Sequence, residues 1–76
     1  MTEFKKTRIN TQTIRAMRLE RGISQAFIAR KMGYKYTSGY SNIEKGSVRL
    51  SYKNAIILSE ILMCDLESFY DYSSLT

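Results

Sequence analysis

Seventy-six residues, 43% of them hydrophobic, with no proline and four glycines, suffice for one small core but not for a core and a deep pocket. One cysteine excludes an internal disulfide and fits a reducing compartment. The lack of any apolar run near 18 residues or of a leader-like N-terminal stretch leads us to expect a soluble, cytoplasmic protein with no membrane partner. The net charge of +5 is unevenly spread: residues 1–53 carry all twelve Lys and Arg against Glu3, Glu20 and Glu44, whereas residues 54–76 carry four acids and no base. Such a division suggests one face that meets a polyanion and one end that avoids it.

In chain order, residues 1–9 are polar and basic and are expected to form a flexible arm. Residues 10–72 read as a single domain, followed by a short tail at 73–76. The first helix opens at Asn10, a good N-cap, with Ile9 and Ile14 spaced as a hydrophobic staple. Ile14 and Met17 supply its apolar stripe, and Gly22 closes it. The second helix repeats the device, with Ser24 as cap, Ile23 and Ile28 as staple, Ile28, Ala29 and Met32 facing inward, and Gly33 as stop. Phe27 falls outside that stripe and has no evident packing partner.

A third helix is predicted from Thr37 or Ser38 to Lys45, ended by Gly46, with Tyr40 and Ile43 inward. The fourth starts after the cap Ser51 and runs to Met63. Its apolar set of Ala55, Ile56, Ile57, Leu58, Ile61 and Leu62 is wider than one stripe, which predicts burial on more than one side. Asp65 caps a fifth helix over 66–72, contributing Leu66, Phe69 and Tyr70. No segment alternates with period two, so the predicted fold is all-α, a compact bundle of five helices without a sheet.

The stretch SQAFIARKMGYKYTSGYSNIEKG, residues 24–46, joins two short helices through about four residues, the geometry of a helix-turn-helix. The second of these helices is loaded with small polar side chains. Short groups able both to donate and to accept suit base edges in the major groove, and Asn suits adenine. Thr37, Ser38, Ser41 and Asn42 meet that description.

The chain resembles the lambda-repressor-like (Cro/C1, Xre-type) helix-turn-helix family over roughly residues 13–69. The resemblance is carried by Arg18-x-x-x-Gly22-Ile23-Ser24-Gln25, by Ile28-Ala29, and by Ile43-Glu44-Lys45-Gly46 in this order and spacing. It implies that Thr37, Ser38 and Asn42, with Ser41 beside them, read bases in double-stranded DNA. It further implies that Gln25 braces a phosphate, that Lys45, Ser47 and Lys53 form a second backbone clamp with Lys35 nearby, and that Arg18 and Glu44 make a structural salt bridge.

Two departures from the family pattern stand out. The segment between Gly33 and Glu44 is one residue longer than usual, which expands the turn Tyr34-Lys35-Tyr36. Gly39 also lies in the first turn of the reading helix. Either it admits the DNA backbone closely, or the helix begins only at Gly39. The roles of Tyr34 and Tyr36, packing or phosphate contact, stay open.

Family members usually bind as two-fold dimers, which makes Leu66, Phe69, Tyr70 and Tyr72 the candidate seam and an inverted repeat the expected operator. The implied function is a transcriptional regulator, a homodimeric repressor of the phage, mobile-element or restriction–modification controller type. A rival reading is an antitoxin or other interaction module whose acidic, aromatic end binds a protein, and a third is single-stranded nucleic-acid binding by the turn tyrosines. An enzyme is not expected. The chain has no histidine, no Gly-rich phosphate loop and no clustered metal ligands, and nothing activates Cys64, which reads as a small buried apolar residue. No cofactor is implied.

Overall fold

The computed structural model describes residues 3–75. Four α-helices, α1 (Thr11–Glu20), α2 (Gln25–Lys31), α3 (Ser38–Glu44) and α4 (Tyr52–Leu62), surround one core. A 3-10 turn, Leu66–Phe69, follows them, and strands β1 (Glu3–Ile9) and β2 (Tyr70–Leu75) form a two-stranded antiparallel sheet.

The helix starts follow from local chemistry. Asn10 Oδ1 accepts the Thr13 N–H at 3.0 Å, Ser24 Oγ that of Phe27 at 3.1 Å, and Ser51 Oγ that of Asn54 at 3.2 Å. Each cap satisfies one donor that the first helical turn leaves unpaired. Gly33, at φ +89°, turns the chain out of α2 in a left-handed conformation that L side chains rarely adopt. α4 ends without a glycine, on Met63 in the left-handed region at φ 55°.

The core comprises Ile14, Ile28, Ala29, Tyr40, Ile43, Leu50, Ala55, Leu58, Leu62 and Phe69. Every helix contributes, and α4 supplies three of these residues along its inner face. The fourth helix is nevertheless less buried than its composition predicts, because Ile56 lies outside the buried stripe and is 37% exposed. Cys64 is half-buried and packs against the core, where burial pushes its thiol up.

Two expectations are corrected at the chain ends. The predicted fifth helix over 66–72 is a single 3-10 turn, and Asp65 makes no side-chain cap to it. Tyr70 leaves the turn with extended dihedrals. In place of a loose arm, residues 3–9 pair with the C-terminal segment, with Ile9 opposite Tyr70, Arg8 opposite Asp71 and Glu3 opposite Leu75, and an irregularity at Thr7. Met1, Thr2 and Thr76, the outermost residues of the expected arm and tail, lie outside the described residues.

The pairing starts where the two ends meet, at a 2.6 Å bond from the Asn10 N–H to the Phe69 carbonyl. It sets Arg8 opposite Asp71, one base of the N-terminal segment against the one acid of β2. A seven-residue strand spans roughly 23 Å, which accounts for the elongated outline of 44 × 22 × 18 Å.

The C-terminal aromatics also divide differently from expectation. Phe69 is 0% exposed and belongs to the core of the single chain, so it has no surface to give to a dimer seam. Leu66 and Tyr70 are half-buried against the same core, and the Tyr72 side chain lies outside the described residues. Phe69→Ala is expected to lower unfolding stability by about 3–5 kcal/mol, the cost of emptying a buried aromatic site. Urea titration at several protein concentrations checks it, because a seam residue would show a strongly concentration-dependent loss.

Candidate nucleic-acid interface

Glu44, at the last position of α3, is buried at 8% exposure and organises the helix-turn-helix. Arg18 of α1 meets it with two bonds, Nε to Oε2 at 2.8 Å and Nη2 to Oε1 at 3.0 Å. The same guanidinium donates through Nη1 to the Ile23 carbonyl at 3.0 Å, just ahead of α2. Gln25, the first residue of α2, donates Nε2 to Glu44 Oε1 at 3.1 Å. One carboxylate therefore ties together three helices, and the expected Arg18–Glu44 bridge is present as a fork-to-fork pair.

Burial alone would raise the Glu44 carboxyl, but the Arg18 guanidinium, then the nearby Tyr40 hydroxyl and last the Gln25 amide outweigh it and hold it below its ordinary range. The bond to Glu44 likewise holds Arg18 above its ordinary value. The Tyr40 hydroxyl is buried beside this pair with no hydrogen-bond partner among the described residues. Burial and then the nearby carboxylate push its phenol well above the usual tyrosine range.

The carboxylate also sets the orientation of α3. Tyr40, Ile43 and Glu44 point inward, while Thr37 and Ser38 are exposed and Ser41 and Asn42 half-buried. Ser38 and Asn42 stand one turn apart on the same side of the helix. The expected reading residues thus share the outward part of α3. Thr37 already has helical dihedrals (φ −57°, ψ −32°) but makes no side-chain cap, so its hydroxyl is not engaged in closing the helix.

Exposed cations flank this surface. Lys35 lies in the turn before α3, Lys45 and Ser47 in the loop after it, and Lys53 in the first turn of α4, all exposed. The loop hangs on α3 itself, because the Asn42 carbonyl accepts the N–H groups of Ser47 at 2.9 Å and Val48 at 3.2 Å. Gln25 differs from a free phosphate ligand in that one of its two amide N–H donors already serves Glu44.

The turn places the two tyrosines left open by the sequence differently. Tyr36 is 67% exposed, with Lys35 Nζ 5.7 Å from its ring centroid. Tyr34 turns inward, and its hydroxyl accepts from Asn54 Nδ2 at 3.2 Å. Gly39 lies inside the first turn of α3, which starts one residue earlier, at Ser38. A Cβ on Gly39 would fall 2.7 Å from Tyr34 Cβ and closer still to the ring carbon Cγ. Glycine stands here because the Tyr34 ring occupies the space, a reason that neither sequence alternative contained. Phe27, also unassigned, is 37% exposed and lies under Lys31, whose Nζ is 5.4 Å from its ring centroid.

Among the described residues no cluster of His, Cys, Asp and Glu could hold a metal ion, and no helix is long and apolar enough to cross a membrane. A surface depression at Ile9, Asn10, Thr11, Gln12 and Asp71 lies at the base of the strands. A family model described as helix-turn-helix matches residues 14–69. No curated protein matches the chain.

Because the folded-state carboxyl of Glu44 titrates below its free value of 4.5, the stability it contributes is complete above that pH and is lost as pH falls through the folded-state value. Glu44→Gln is expected to flatten the acid limb of the stability-versus-pH curve. Arg18→Met, which strands a buried carboxylate, should cost about 3–5 kcal/mol at neutral pH. Urea unfolding from pH 3 to 7 checks both.

Proposed function

The chain belongs to the Cro/C1-type helix-turn-helix family and is a DNA-binding regulator, and from that premise we propose that it reads a specific double-stranded operator as a homodimer and represses by occluding it. The observation that carries this reading is the outward face of α3. It presents Ser38 and Asn42 away from the buried Tyr40 and Ile43, with Ser41 beside them and Thr37 exposed at the helix start. These groups lie between exposed cations, in the arrangement that lets phosphate contacts set the pose while short polar groups discriminate bases. Thr37, Ser38, Ser41 and Asn42 read base edges. Gln25, Lys35, Lys45, Ser47 and Lys53 hold the phosphates on either side, Gln25 through its remaining amide donor.

A two-fold dimer of such domains places its reading helices about 34 Å apart, one turn of DNA, and so demands an inverted repeat. With Phe69 buried in the monomer, the surface better suited to a second copy is the outer side of α4. Tyr52, Ile56 and Met63 are 65%, 37% and 83% exposed there, and helical spacing aligns them. Leu66 and Tyr70, half-buried against the core, have less surface to offer.

Selection of bound duplexes from a random pool at one stated salt concentration tests the function, since phosphate-driven affinity depends steeply on salt. An enriched inverted repeat is the expected outcome, and binding without enrichment refutes sequence reading. On the selected operator, Asn42→Ala should cost about 1–3 kcal/mol and relax base preference at one position, whereas Lys45→Ala should weaken all duplexes alike and lower the salt slope by about 1. Ile56→Glu should abolish self-association in sedimentation; an unchanged dimer would move the seam elsewhere.

A further inference from the structure

Tyr34 touches three elements at once. Its N–H donates to the Ala29 carbonyl of α2 at 2.9 Å. Its ring lies against the backbone of Gly39 in the first turn of α3 so closely that no other residue fits there. Its hydroxyl accepts from Asn54 in the first turn of α4 at 3.2 Å. The side chain is half-buried and packs on the core. These contacts bridge the end of α3 that carries Thr37 and Ser38 and the end of α4 that carries Lys53.

We propose that Tyr34 is a positioning residue for DNA recognition: a strut that holds the N-terminus of α3 at a set distance and angle from the first turn of α4. This rests on the reading of α3 as the base-reading helix and goes beyond it. Base contacts discriminate only if the reading side chains and the phosphate clamps reach the duplex in one register. A short α3, with only seven residues and no side-chain cap, cannot hold its N-terminal end by itself. A tyrosine supplies the missing constraint with a flat, stiff ring and a polar tip. The helix accepts glycine, a poor helix former, at position 39 to make room for it. Non-specific binding makes no such demand, because any pose that keeps the cations near the phosphates will do.

Tyr34→Phe is the decisive variant, since it keeps the ring on Gly39 and removes only the acceptor for Asn54. Affinity for the selected operator is expected to fall about three- to tenfold, as the loss of one neutral hydrogen bond implies. Affinity for a scrambled duplex at the same salt should stay within about twofold, because it depends on cations that the variant leaves in place. Asn54→Ala should reproduce the loss, and the double variant should lose no more than either single one. Equal weakening on both duplexes with a lowered Tm would mean that Tyr34 only supports the fold, and an unchanged operator affinity would mean that the strut is idle. Either result overturns the proposal. Wild-type protein with no sequence preference would instead remove the reading beneath it, an outcome visible before any variant is made.

Discussion

The constraint on which the rest of the molecule depends is the need to satisfy one buried carboxylate. Glu44 has lost most of its contact with water and recovers hydrogen bonds from Arg18 and Gln25. A guanidinium fork and an amide are directional partners, so α1, α2 and α3 must meet Glu44 in one arrangement. Such a pair is weak evidence for stability, since apolar residues of similar volume often serve as well. Its effect here is orientation: with Glu44 held inward beside Tyr40 and Ile43, the short polar residues of α3 have only the outside left to them.

Around that hub the core is small, as a chain of this length requires, and each helix contributes only one narrow stripe. The economy leaves apolar surface outside. Ile56 and Tyr52 on α4 are exposed although their residue types suggest burial. The same economy explains Tyr34, whose ring and hydroxyl join the first turns of α3 and α4 where the aliphatic core does not reach. The placement of α3 and the packing beneath it are thus set by neighbouring atoms of the same few residues.

Legibility from sequence follows the range of the interaction. Asn10, Ser24 and Ser51 are caps whose partner lies three residues away, and local pattern finds them. Arg18 and Glu44 are 26 residues apart; no periodicity joins them, and only the family resemblance did. The strands were missed because β1 and β2 carry no period-two alternation. Their pairing is decided by where the ends of the bundle leave the chain, at Asn10 and Phe69. The predicted last helix failed for a related reason: Leu66, Phe69 and Tyr70 have helical spacing, but the chain turns into β2 after one 3-10 turn.

By itself the sequence determined the four helices, their starts and stops, most of the core and the polar character of α3, because capping, glycine stops and 3.6-residue periodicity act within a few residues. It also determined that residues 1–53 carry all of the chain's basic charge. Only the tertiary structure decided that Phe69 is core, that Ile56 is surface, that the termini pair, and that Gly39 answers to Tyr34. Each of these depends on which distant segment arrives at a given face, and that is settled when the helices close around Glu44.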